Sequence, residues 1–369
     1  MRKLYGTCCP LERYKSNNYI AVELRIIKIF VISLQKGIMT MNYIATWFYE
    51  ESKDDTSYYP QAGKKGSSKL VRSIYMQIQV PFYVSFKHFN PDARYLFFTN
   101  AEKLPGYLIK MFETLNVEVV ILPYRCKPPK NWYKAWRNQF YLYDIILYMN
   151  GILQENDVVL ITDADCVCNA SLSAFFEEVR NRGAGLYDMY KPADVDVNGI
   201  TLNQLTEIYE QCYGVKAHHY LTYYGGEFVA LTGNSVRKMK QEYQKLWNYN
   251  VELFKNGKPK LNEEALFLSV LVKRLGLSND IANKYMKRIW TNPNFNNVVA
   301  NDINLAVWHL PYEKKRGLFY LYKMLNKDYQ IHDEAEFYQK AAFYVGIPQK
   351  SFKKKVMDRL FTLLRKVGL

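Results

Sequence analysis

The sequence lacks a long hydrophobic run. Of its 369 residues 49% are hydrophobic, yet no stretch of eighteen or more consecutive residues is both apolar and uncharged. Because a helix needs about 20 such residues to cross a bilayer, we expect no membrane-spanning helix. The most apolar segment near the N-terminus, residues 29–34, is short, has Lys28 and Lys36 beside it and lacks a small-residue cleavage site. We therefore do not interpret it as a signal peptide.

Cysteine is scarce. The six cysteines are Cys8, Cys9, Cys126, Cys166, Cys168 and Cys212. No two Cys-x-x-Cys pairs occur, which argues against a structural zinc site. Neither the adjacent pair near the N-terminus nor the pair separated by one residue suggests a disulfide framework. We therefore expect free thiols in a reducing compartment, and hence a cytoplasmic protein.

Acidic residues are fewer than basic ones. The 50 Lys and Arg outnumber the 35 Asp and Glu, which gives a net charge of +15. A balance of this sign suggests an anionic partner such as phosphate, nucleic acid or an acidic membrane surface. Because no zinc-finger, RNA-recognition or helix-turn-helix signature occurs, we do not expect nucleic acid as the partner. The sequence also has no internal repeat, and its length suits one large or two ordinary domains.

Strands and helices alternate after the first forty residues. The predicted strands are residues 41–49, 93–99, 117–122, 158–162, 228–231 and 303–310, and the predicted helices are residues 69–89, 104–115, 132–149, 172–181, 235–256 and 263–275. Pro81 is expected to interrupt the first helix. This alternation is typical of βαβ units, so we expect an α/β fold with a mostly parallel central sheet. Residues 1–40 do not share this pattern and are expected to be an appendage or a wrongly assigned start.

Two aspartates, Asp163 and Asp165, follow the apolar run of residues 158–162. In an open α/β sheet the carboxyl ends of the strands form the ligand crevice. Two carboxylates placed there repel each other unless a cation neutralises them. Carboxylate oxygens suit Mg²⁺ or Mn²⁺, which in turn bind phosphate oxygens. The alternative is a polar turn that ends the strand and binds no metal.

Four further features come after the aspartates in chain order. They are the glycine turn Gly225-Gly226-Glu227, the acidic pair Glu263-Glu264, His309 and the basic run Lys314-Lys315-Arg316. Glycines allow a backbone to approach a ligand closely, and basic side chains near a metal would hold phosphate charge. Each feature also has an ordinary interpretation: a tight turn, a capped helix N-terminus, a structural histidine and a solvated basic face.

The order of these motifs resembles the core pattern of the GT-A superfamily of glycosyltransferases. Residues 159–172 are also similar to the metal-binding stretch of glycogenin-like and bacterial lipopolysaccharide sugar transferases. The resemblance covers residues 41–320 and implies a GT-A-like Rossmann-type sandwich as the catalytic domain, with residues 321–369 as a basic helical C-terminal extension. It also implies a nucleotide-sugar donor, for which a UDP-sugar is favoured, a Mn²⁺ or Mg²⁺ ion, and a glycan or lipid-linked acceptor.

The resemblance assigns roles to the metal-binding residues. Asp163 and Asp165 match its Asp-x-Asp motif, with Asp165 as the favoured direct ligand. His309 matches the C-terminal histidine that is associated with the metal. Gly225 and Gly226 match the loop beside the donor sugar. These residues would therefore bind the metal and the nucleotide-sugar.

The resemblance also implies a catalytic base if the enzyme inverts the anomeric configuration. Glu264 or Glu263 matches the acidic position that removes the proton of the acceptor hydroxyl, and Glu227 is a third candidate. A retaining enzyme needs no such base. The sequence leaves the stereochemistry open.

The phosphates of the nucleotide are the third part of the implied site. In the resembled families the region before the Asp-x-Asp motif helps to hold the nucleotide, which implies a phosphate contact for Arg137 and a supporting role for Asp144. The alternative is an ordinary amphipathic helix. Lys314 and Lys315 are further candidates. Their role stays open, because residues 309–314 read His-Leu-Pro-Tyr-Glu-Lys where glycogenin-like members have His-x-x-Gly-x-Lys.

The C-terminal segment, residues 351–369, combines apolar and basic side chains. Six basic side chains accompany one acidic side chain there. Apolar residues recur at spacings of three or four, at Phe352, Val356, Leu360, Leu363 and Val367. This pattern is typical of a helix on an anionic membrane surface, which favours a peripheral location on the inner face of the membrane. The alternative is a helix docked on the protein's own core.

Two other functions remain open. A haloacid-dehalogenase-like phosphatase would use Asp163 as nucleophile and Asp165 as acid–base group, but its later acidic motifs are missing and its first motif would not open the fold. A non-enzymatic basic protein that binds nucleic acid or membrane would leave the carboxylates unexplained. We therefore expect a metal-dependent glycosyltransferase. The high Tyr, Asn, Lys and Ile content, typical of an AT-rich bacterial genome, favours surface polysaccharide as its product.

Overall fold

The computed structural model describes residues 40–52, 56–59, 64–134 and 137–366. Side chains are described throughout these ranges except at positions 58–59 and after Leu360. The predicted N-terminal appendage, residues 1–40, lies outside the described residues apart from Thr40. Within the described ranges, no helix combines the length and the hydropathy that crossing a membrane requires.

The strands form one central sheet and several smaller ones. In chain order, the described strands are β1 (Asn42–Phe48), β2 (Tyr58–Tyr59), β3 (Lys64–Lys65), β4 (Arg94–Thr99), β5 (Val117–Ile121), β6 (Val158–Thr162), β7 (Cys166–Cys168), β8 (Ala184–Asp188), β9 (Asp196–Val197), β10 (Ile200–Thr201), β11 (Tyr224–Thr232), β12 (Met286–Arg288), β13 (Thr291–Asn292), β14 (Phe295–Asn296) and β15 (Val307–His309). The central sheet has the order β5-β4-β1-β6-β11-β8. Its first four strands are parallel, and β11 runs antiparallel to its neighbours β6 and β8. The predicted α/β fold with a mostly parallel sheet is confirmed.

Helices cover both faces of the central sheet. The described helices are α1 (Lys69–Gln77), α2 (Gln79–Phe89), α3 (Gly106–Leu115), α4 (Tyr141–Met149), α5 (Ser173–Arg182), α6 (Leu202–Tyr213), α7 (Gly233–Lys255), α8 (Glu264–Arg274), α9 (Gly317–Leu325), α10 (Glu334–Val345) and α11 (Phe352–Lys366). Alternating residues of β1 point to opposite faces, so that Ile44 packs in one core and Tyr43 and Ala45 in the other. Because both faces are covered, the central strands are apolar on both sides, and every residue of β6 is buried.

A second sheet brings two distant parts of the chain together. Strand β15 lies between β12 and β7. His309 pairs with Cys166 on one side and with Arg288 on the other. The Leu310 N–H donates to the Asp165 carbonyl at 2.9 Å. This sheet therefore places His309 and Arg288 beside the residues that come directly after β6.

The predicted helix over residues 69–89 is two helices, α1 and α2. The break falls at Ile78 and not at Pro81. Pro81 lies in the first turn of α2, where a backbone N–H has no partner within the helix. A proline is therefore tolerated there. The interruption is confirmed, but at a different residue.

The predicted helix over residues 132–149 begins only at Tyr141. Trp132 is buried, and the centroid of its ring lies 6.1 Å from that of Trp247 and 5.0 Å from that of Phe254. Both partners belong to α7. The aromatic residues before α4 thus anchor a loop in the core, which explains why their apolar pattern did not correspond to a helix.

The C-terminal helix α11 meets the protein through polar groups. Lys354 and Glu313 are both fully buried, and Lys354 Nζ lies 3.0 Å from Glu313 Oε2. Lys354 also pairs with Asp358 one turn further along the helix. Lys350 contacts Glu313 at 3.2 Å and Asp358 at 3.0 Å. The inward face of α11 is therefore held by a cluster of ion pairs.

Three apolar residues in the described part of α11 face solvent. Phe352, Val356 and Leu360 are 83%, 38% and 54% exposed. The alternative of a helix docked on the protein is thus met through Lys354 and its ion pairs, and these three apolar residues take no part in the docking. Leu363 and Val367 lie outside the described side chains.

Replacing Lys354 by alanine should destabilise the protein. Glu313 would keep Lys350 nearby but lose the one fully buried cation that it contacts. Breaking a buried ion pair on one side leaves an uncompensated charge, so we expect the free energy of unfolding to fall by about 3 kcal/mol. Urea unfolding measures the change. Lys353→Ala, an exposed neighbour on α11, should change it by less than about 0.5 kcal/mol. Equal effects of the two variants would contradict the prediction.

Candidate active site

The two aspartates lie at the carboxyl end of β6, in the middle of the central sheet. The Asp163 N–H donates to the Glu227 carbonyl of β11 at 3.0 Å, which fixes the backbone where the strand ends. The side chain of Asp163 is 33% exposed and that of Asp165 is 2% exposed. The aspartates therefore lie at the ligand-binding edge of the sheet, as the sequence predicts.

His309 joins the two aspartates because β15 pairs with β7. Its Nε2 lies 3.3 Å from Asp165 Oδ2 and 3.7 Å from Asp163 Oδ2. One atom from each of the three side chains lies within 4.8 Å of the others. His309 is buried, yet neither of its ring nitrogens makes a hydrogen bond with the described residues. Buried polar atoms without a partner are uncommon and call for a ligand or an ion.

These three residues fit a divalent cation. Two carboxylates and one imidazole are a donor set that Mn²⁺ accepts, and carboxylate oxygens are the ligands that Mg²⁺ prefers. The separation of the three ligand atoms is small enough for one ion to contact all of them. Asp163, Asp165 and His309 are therefore the residues that could hold a metal.

The pKa values of the two aspartates are shifted in opposite directions. Burial opposes ionisation of Asp165, but Lys314, in direct contact with its Oδ2, and His309 outweigh burial and hold the pKa of Asp165 well below its usual range. Burial, and then the negative charge of Asp165, raise the pKa of Asp163 to about 6. Burial alone would lower the pKa of His309, but Asp165 and Glu227 raise it to about 9. His309 is thus a cation at neutral pH when no metal is bound.

Glu227 is bound by an arginine that the sequence did not point to. Arg288 Nε donates to Glu227 Oε1 at 2.6 Å, and the same oxygen lies 3.7 Å from His309 Nδ1. Burial opposes ionisation of Glu227, but Arg288 and His309 hold its pKa well below the usual range. Arg288 reaches the site because β12 pairs with β15. No sequence motif surrounds it, so only the pairing of these two strands reveals its position.

Glu263 precedes α8 but does not cap it. Its side chain makes no capping hydrogen bond. Instead, Tyr223 donates its hydroxyl to Oε1 at 2.6 Å, and Asn198 donates its amide to Oε2 at 2.5 Å. Burial raises the pKa of Glu263, and these hydrogen bonds oppose the shift. The ordinary interpretation as a helix cap is therefore wrong for this residue.

Glu264 is the least satisfied carboxyl of the site. It is buried, and its Oε2 has no hydrogen-bond partner among the described residues. Burial, and then the charge of Glu263, raise the pKa of Glu264 well above its usual value. A carboxyl with a raised pKa binds a proton more tightly, so the ionised form of Glu264 would be a stronger general base than an ordinary carboxylate.

The glycine pair belongs to β11, so the prediction of a turn at this point is wrong. A Cβ on Gly225 would collide with the side chain of Glu227, and a Cβ on Gly226 with that of Glu264. The pairing of β11 with β8 shifts in register at this place. The glycines thus make room for the carboxyl groups of the site.

Most of these side chains line one cleft, which has a volume of about 280 Å³. Its lining includes Asp163, Gly226, Glu227, Glu263, Glu264, Arg288, His309 and Lys314, together with Tyr75, Gln139, Tyr223, Trp290 and Pro311. The volume lies near the lower end of small-molecule sites. The cleft therefore has room for the reacting part of a small-molecule ligand.

Five predicted residues do not line the cleft. Two of them adjoin it, because Asp165 contacts Lys314 and Gly225 precedes Gly226, whereas the other three have different surroundings. Arg137 lies in a 3-10 turn, where its carbonyl accepts the Tyr124 hydroxyl at 2.7 Å. Asp144 on α4 accepts the backbone N–H groups of Arg125 and Cys126 at 3.0–3.2 Å and so shapes the loop after β5. Lys315 is partly buried outside the cleft. Nucleotide contacts of these residues stay predictions.

Comparison with known proteins gives structural likeness only. No protein-family model matches the sequence, and no curated protein matches it. Mouse xyloside xylosyltransferase 1 is 11% identical, with a TM-score of 0.40, over 73% of this chain and 97% of its own. The galactosyltransferase LgtC, solved with donor and acceptor sugar analogs, is 14% identical, with a TM-score of 0.37, over 84% of this chain and 98% of its own. The bifunctional glycosyltransferase WbbM is 10% identical, with a TM-score of 0.42, over 82% of this chain and 52% of its own. By their titles, the three belong to the class of enzyme that the sequence resembles.

The metal-free protein should lose stability as the pH rises from about 6.5 to about 9. The pKa of His309 is about 9 in the folded protein and about 6.5 in an unfolded chain. The folded state therefore holds the proton more tightly, and this stabilisation is complete below the lower pKa and lost above the higher one. Urea unfolding in EDTA at several pH values measures the loss, which is at most about 3 kcal/mol.

His309→Gln provides the comparison for this experiment. Burial lowers the pKa of Lys260 to about 8, which adds stability above that pH and partly offsets the loss from His309. Lys260 is present in both the parent and His309→Gln. Subtracting the free energy of unfolding of the variant from that of the parent at each pH therefore removes the contribution of Lys260. His88→Gln, outside the cleft, should keep the slope of the parent. The same slope in the parent and His309→Gln would refute the prediction.

Proposed function

We propose that the chain is a metal-dependent glycosyltransferase that moves a sugar from a nucleotide-sugar, with UDP as the favoured nucleotide, to a glycan or lipid-linked acceptor. The observation that carries the proposal is the content of one cleft. Asp163 and His309 line it together with the carboxyl pair of Glu263 and Glu264. Asp165, the third member of the metal-ligand cluster, lies directly behind His309, with 3.3 Å between Asp165 Oδ2 and His309 Nε2. Sugar transfer from a nucleoside diphosphate needs positive charge at the leaving phosphates and a base at the acceptor hydroxyl of an inverting enzyme.

The cationic side of the site would hold the diphosphate. Asp163, Asp165 and His309 would hold Mn²⁺ or Mg²⁺, which supplies positive charge for the leaving oxygens. Lys314 contacts Asp165 and lines the cleft, so its ammonium is placed to bind a phosphate oxygen beside the metal ligands. Tyr312 stands where the glycogenin-like pattern has glycine, but Lys314 keeps the position of the lysine five residues after His309.

Glu264 is the best of the three candidate bases. Glu227 is held ionised by Arg288, so it is a weak base and a positioning group. Both carboxylate oxygens of Glu263 accept hydrogen bonds. Glu264 retains an oxygen without a partner in the described structure, and its raised pKa makes its ionised form a stronger base than an ordinary carboxylate. It would take the proton of the acceptor hydroxyl as the new glycosidic bond forms.

The helix α11 supports attachment to a membrane. Its exposed apolar residues Phe352, Val356 and Leu360 lie beside the exposed basic residues Lys353 and Lys355. Each basic side chain near anionic lipid contributes about 1 kcal/mol. We therefore propose a peripheral location on the inner face of the membrane, where lipid-linked acceptors of surface polysaccharide synthesis would be within reach.

Binding of the donor tests the proposal directly. We expect Mn²⁺ together with one nucleoside diphosphate, UDP first, to raise the melting temperature, because a ligand at 100 times its Kd stabilises the folded state by about 2.7 kcal/mol. The shift should vanish in Asp165→Asn and persist in Asp194→Asn, an exposed aspartate outside the cleft. No shift with any nucleotide, together with release of phosphate from p-nitrophenyl phosphate, would favour the phosphatase function instead.

Glu264→Gln should separate catalysis from binding. Removing a general base lowers the rate by about 100- to 10,000-fold, so we expect kcat for sugar transfer to fall within that range while the donor still raises the melting temperature. The amide removes a buried ionisable group, so the unfolding midpoint should not fall. Glu252→Gln, exposed on α7, should leave kcat unchanged. A kcat within tenfold of the parent would exclude the base role and favour a retaining reaction.

A further inference from the structure

A second cavity lies against the C-terminal helix. It has a volume of about 1170 Å³ and is lined by residues of the β13–β14 hairpin, of the turn before α9 and of the first turns of α11. Trp290 and Pro311 line the candidate active-site cleft, whereas the next residues, Thr291 and Tyr312, line this second cavity. Two chain segments therefore separate the cavities, and each segment contributes residues to both. We refer to the second cavity as the basic groove.

The basic groove has an excess of positive charge. Arg316, Lys350, Lys355 and Arg359 line it, and Asp358 is its acidic residue. Lys350 is neutralised by Asp358 and Glu313. Within the described part of the chain, no carboxylate forms an ion pair with any of the other three cations. This leaves a charge of about +3 facing the groove, which suits an anion of similar charge.

The guanidinium group of Arg316 is held against the ring of Tyr312. Its guanidinium carbon lies 4.2 Å from the centroid of the Tyr312 ring, and Nη1 donates to the Tyr312 carbonyl at 3.3 Å. A guanidinium offers five N–H donors in a rigid fork that matches phosphate oxygens. Stacking on the ring reduces the entropy that Arg316 would lose when it binds.

Apolar side chains accompany these cations. Pro293, Val298 and Pro348 line the groove, and Val356 and Leu360 are exposed on the adjoining helix. A free inorganic anion would not use this surface or this volume. A phosphate group attached to a larger organic molecule would use both.

We propose that the basic groove binds a phosphate or diphosphate group of the acceptor substrate. This inference rests on the proposed glycosyltransferase function, because it assigns the acceptor of that reaction to the class of phosphate-bearing molecules. Arg316, Lys355 and Arg359 contact the phosphate oxygens, and the sugar end of the acceptor extends toward the neighbouring cleft. The phosphate belongs either to a lipid-linked sugar or to a soluble phosphorylated glycan.

Titration of the full chain with inorganic pyrophosphate tests the groove itself. EDTA removes the divalent cations that would otherwise carry pyrophosphate into the acidic cleft. We expect saturable binding by calorimetry, about tenfold weaker in the double variant Lys355→Gln/Arg359→Gln, because the two substitutions remove two of the three charges that would contact the anion. Lys355→Gln should weaken binding more than Lys353→Gln, which removes the same charge from the same helix outside the groove. Absence of saturable binding, or equal effects of these two lysine variants, would overturn the proposal.

A second titration identifies the source of the phosphate. Farnesyl diphosphate carries the same charged group on an isoprenoid chain. Binding at least tenfold tighter than that of pyrophosphate assigns the groove to lipid-linked acceptors, and equal affinity assigns it to soluble phosphorylated glycans. Either assignment holds only if farnesyl diphosphate binds more weakly to Lys355→Gln/Arg359→Gln than to the parent.

The double variant also separates this inference from the proposed function. Its melting temperature should still rise with Mn²⁺ and UDP, because Lys355 and Arg359 do not line the cleft. A nucleotide shift without pyrophosphate binding overturns the groove alone. Pyrophosphate binding in a chain that gives no nucleotide shift overturns the assignment of the groove to an acceptor.

Discussion

Repulsion among buried carboxyl groups is the constraint on which the site depends. Four buried carboxyl groups, those of Asp165, Glu227, Glu263 and Glu264, converge on one edge of the sheet with the partly exposed carboxyl group of Asp163. Three cations lie among them: Lys314 and His309 contact Asp165, and Arg288 contacts Glu227. If all eight groups were ionised, the cluster would carry an excess of two negative charges. A His309 that binds a metal is neutral, so the excess would then be three, of which a divalent cation offsets two. The raised pKa values of Asp163 and Glu264 show how the metal-free protein reduces this excess.

The two sheets bring these carboxyl groups and cations together. The central sheet brings Asp163 and Glu227 together by pairing β6 with β11. The small sheet β12-β15-β7 adds the histidine and the arginine from a later part of the chain. The two glycines of β11 leave the space that the glutamate side chains occupy. Neither sheet alone would hold the carboxyl groups with their cations.

The sequence predicted the parts of this arrangement that depend on local pattern. The buried run of β6 and the acids after it could be read directly, because a strand covered on both faces is apolar throughout. The order of motifs then pointed to His309. Arg288 could not be found in this way, since its place depends on parallel pairing of β12 with β15, and no local pattern encodes which strands pair. Likewise, the apolar rings before α4 suggested a helix because periodicity does not distinguish a helix face from an anchored loop.

The pairing of β7 with β15 has a consequence for synthesis of the chain. Asp165 and Lys314 are separated by 149 positions in sequence, and His309 comes from the same late segment. All strands of the central sheet precede β12, so that sheet has its full set of strands before the histidine and the lysine leave the ribosome. During that interval the acids at the end of β6 lack both cations. A growing chain would therefore expose an acidic, unfinished cleft until the segment that contains His309 and Lys314 has been made.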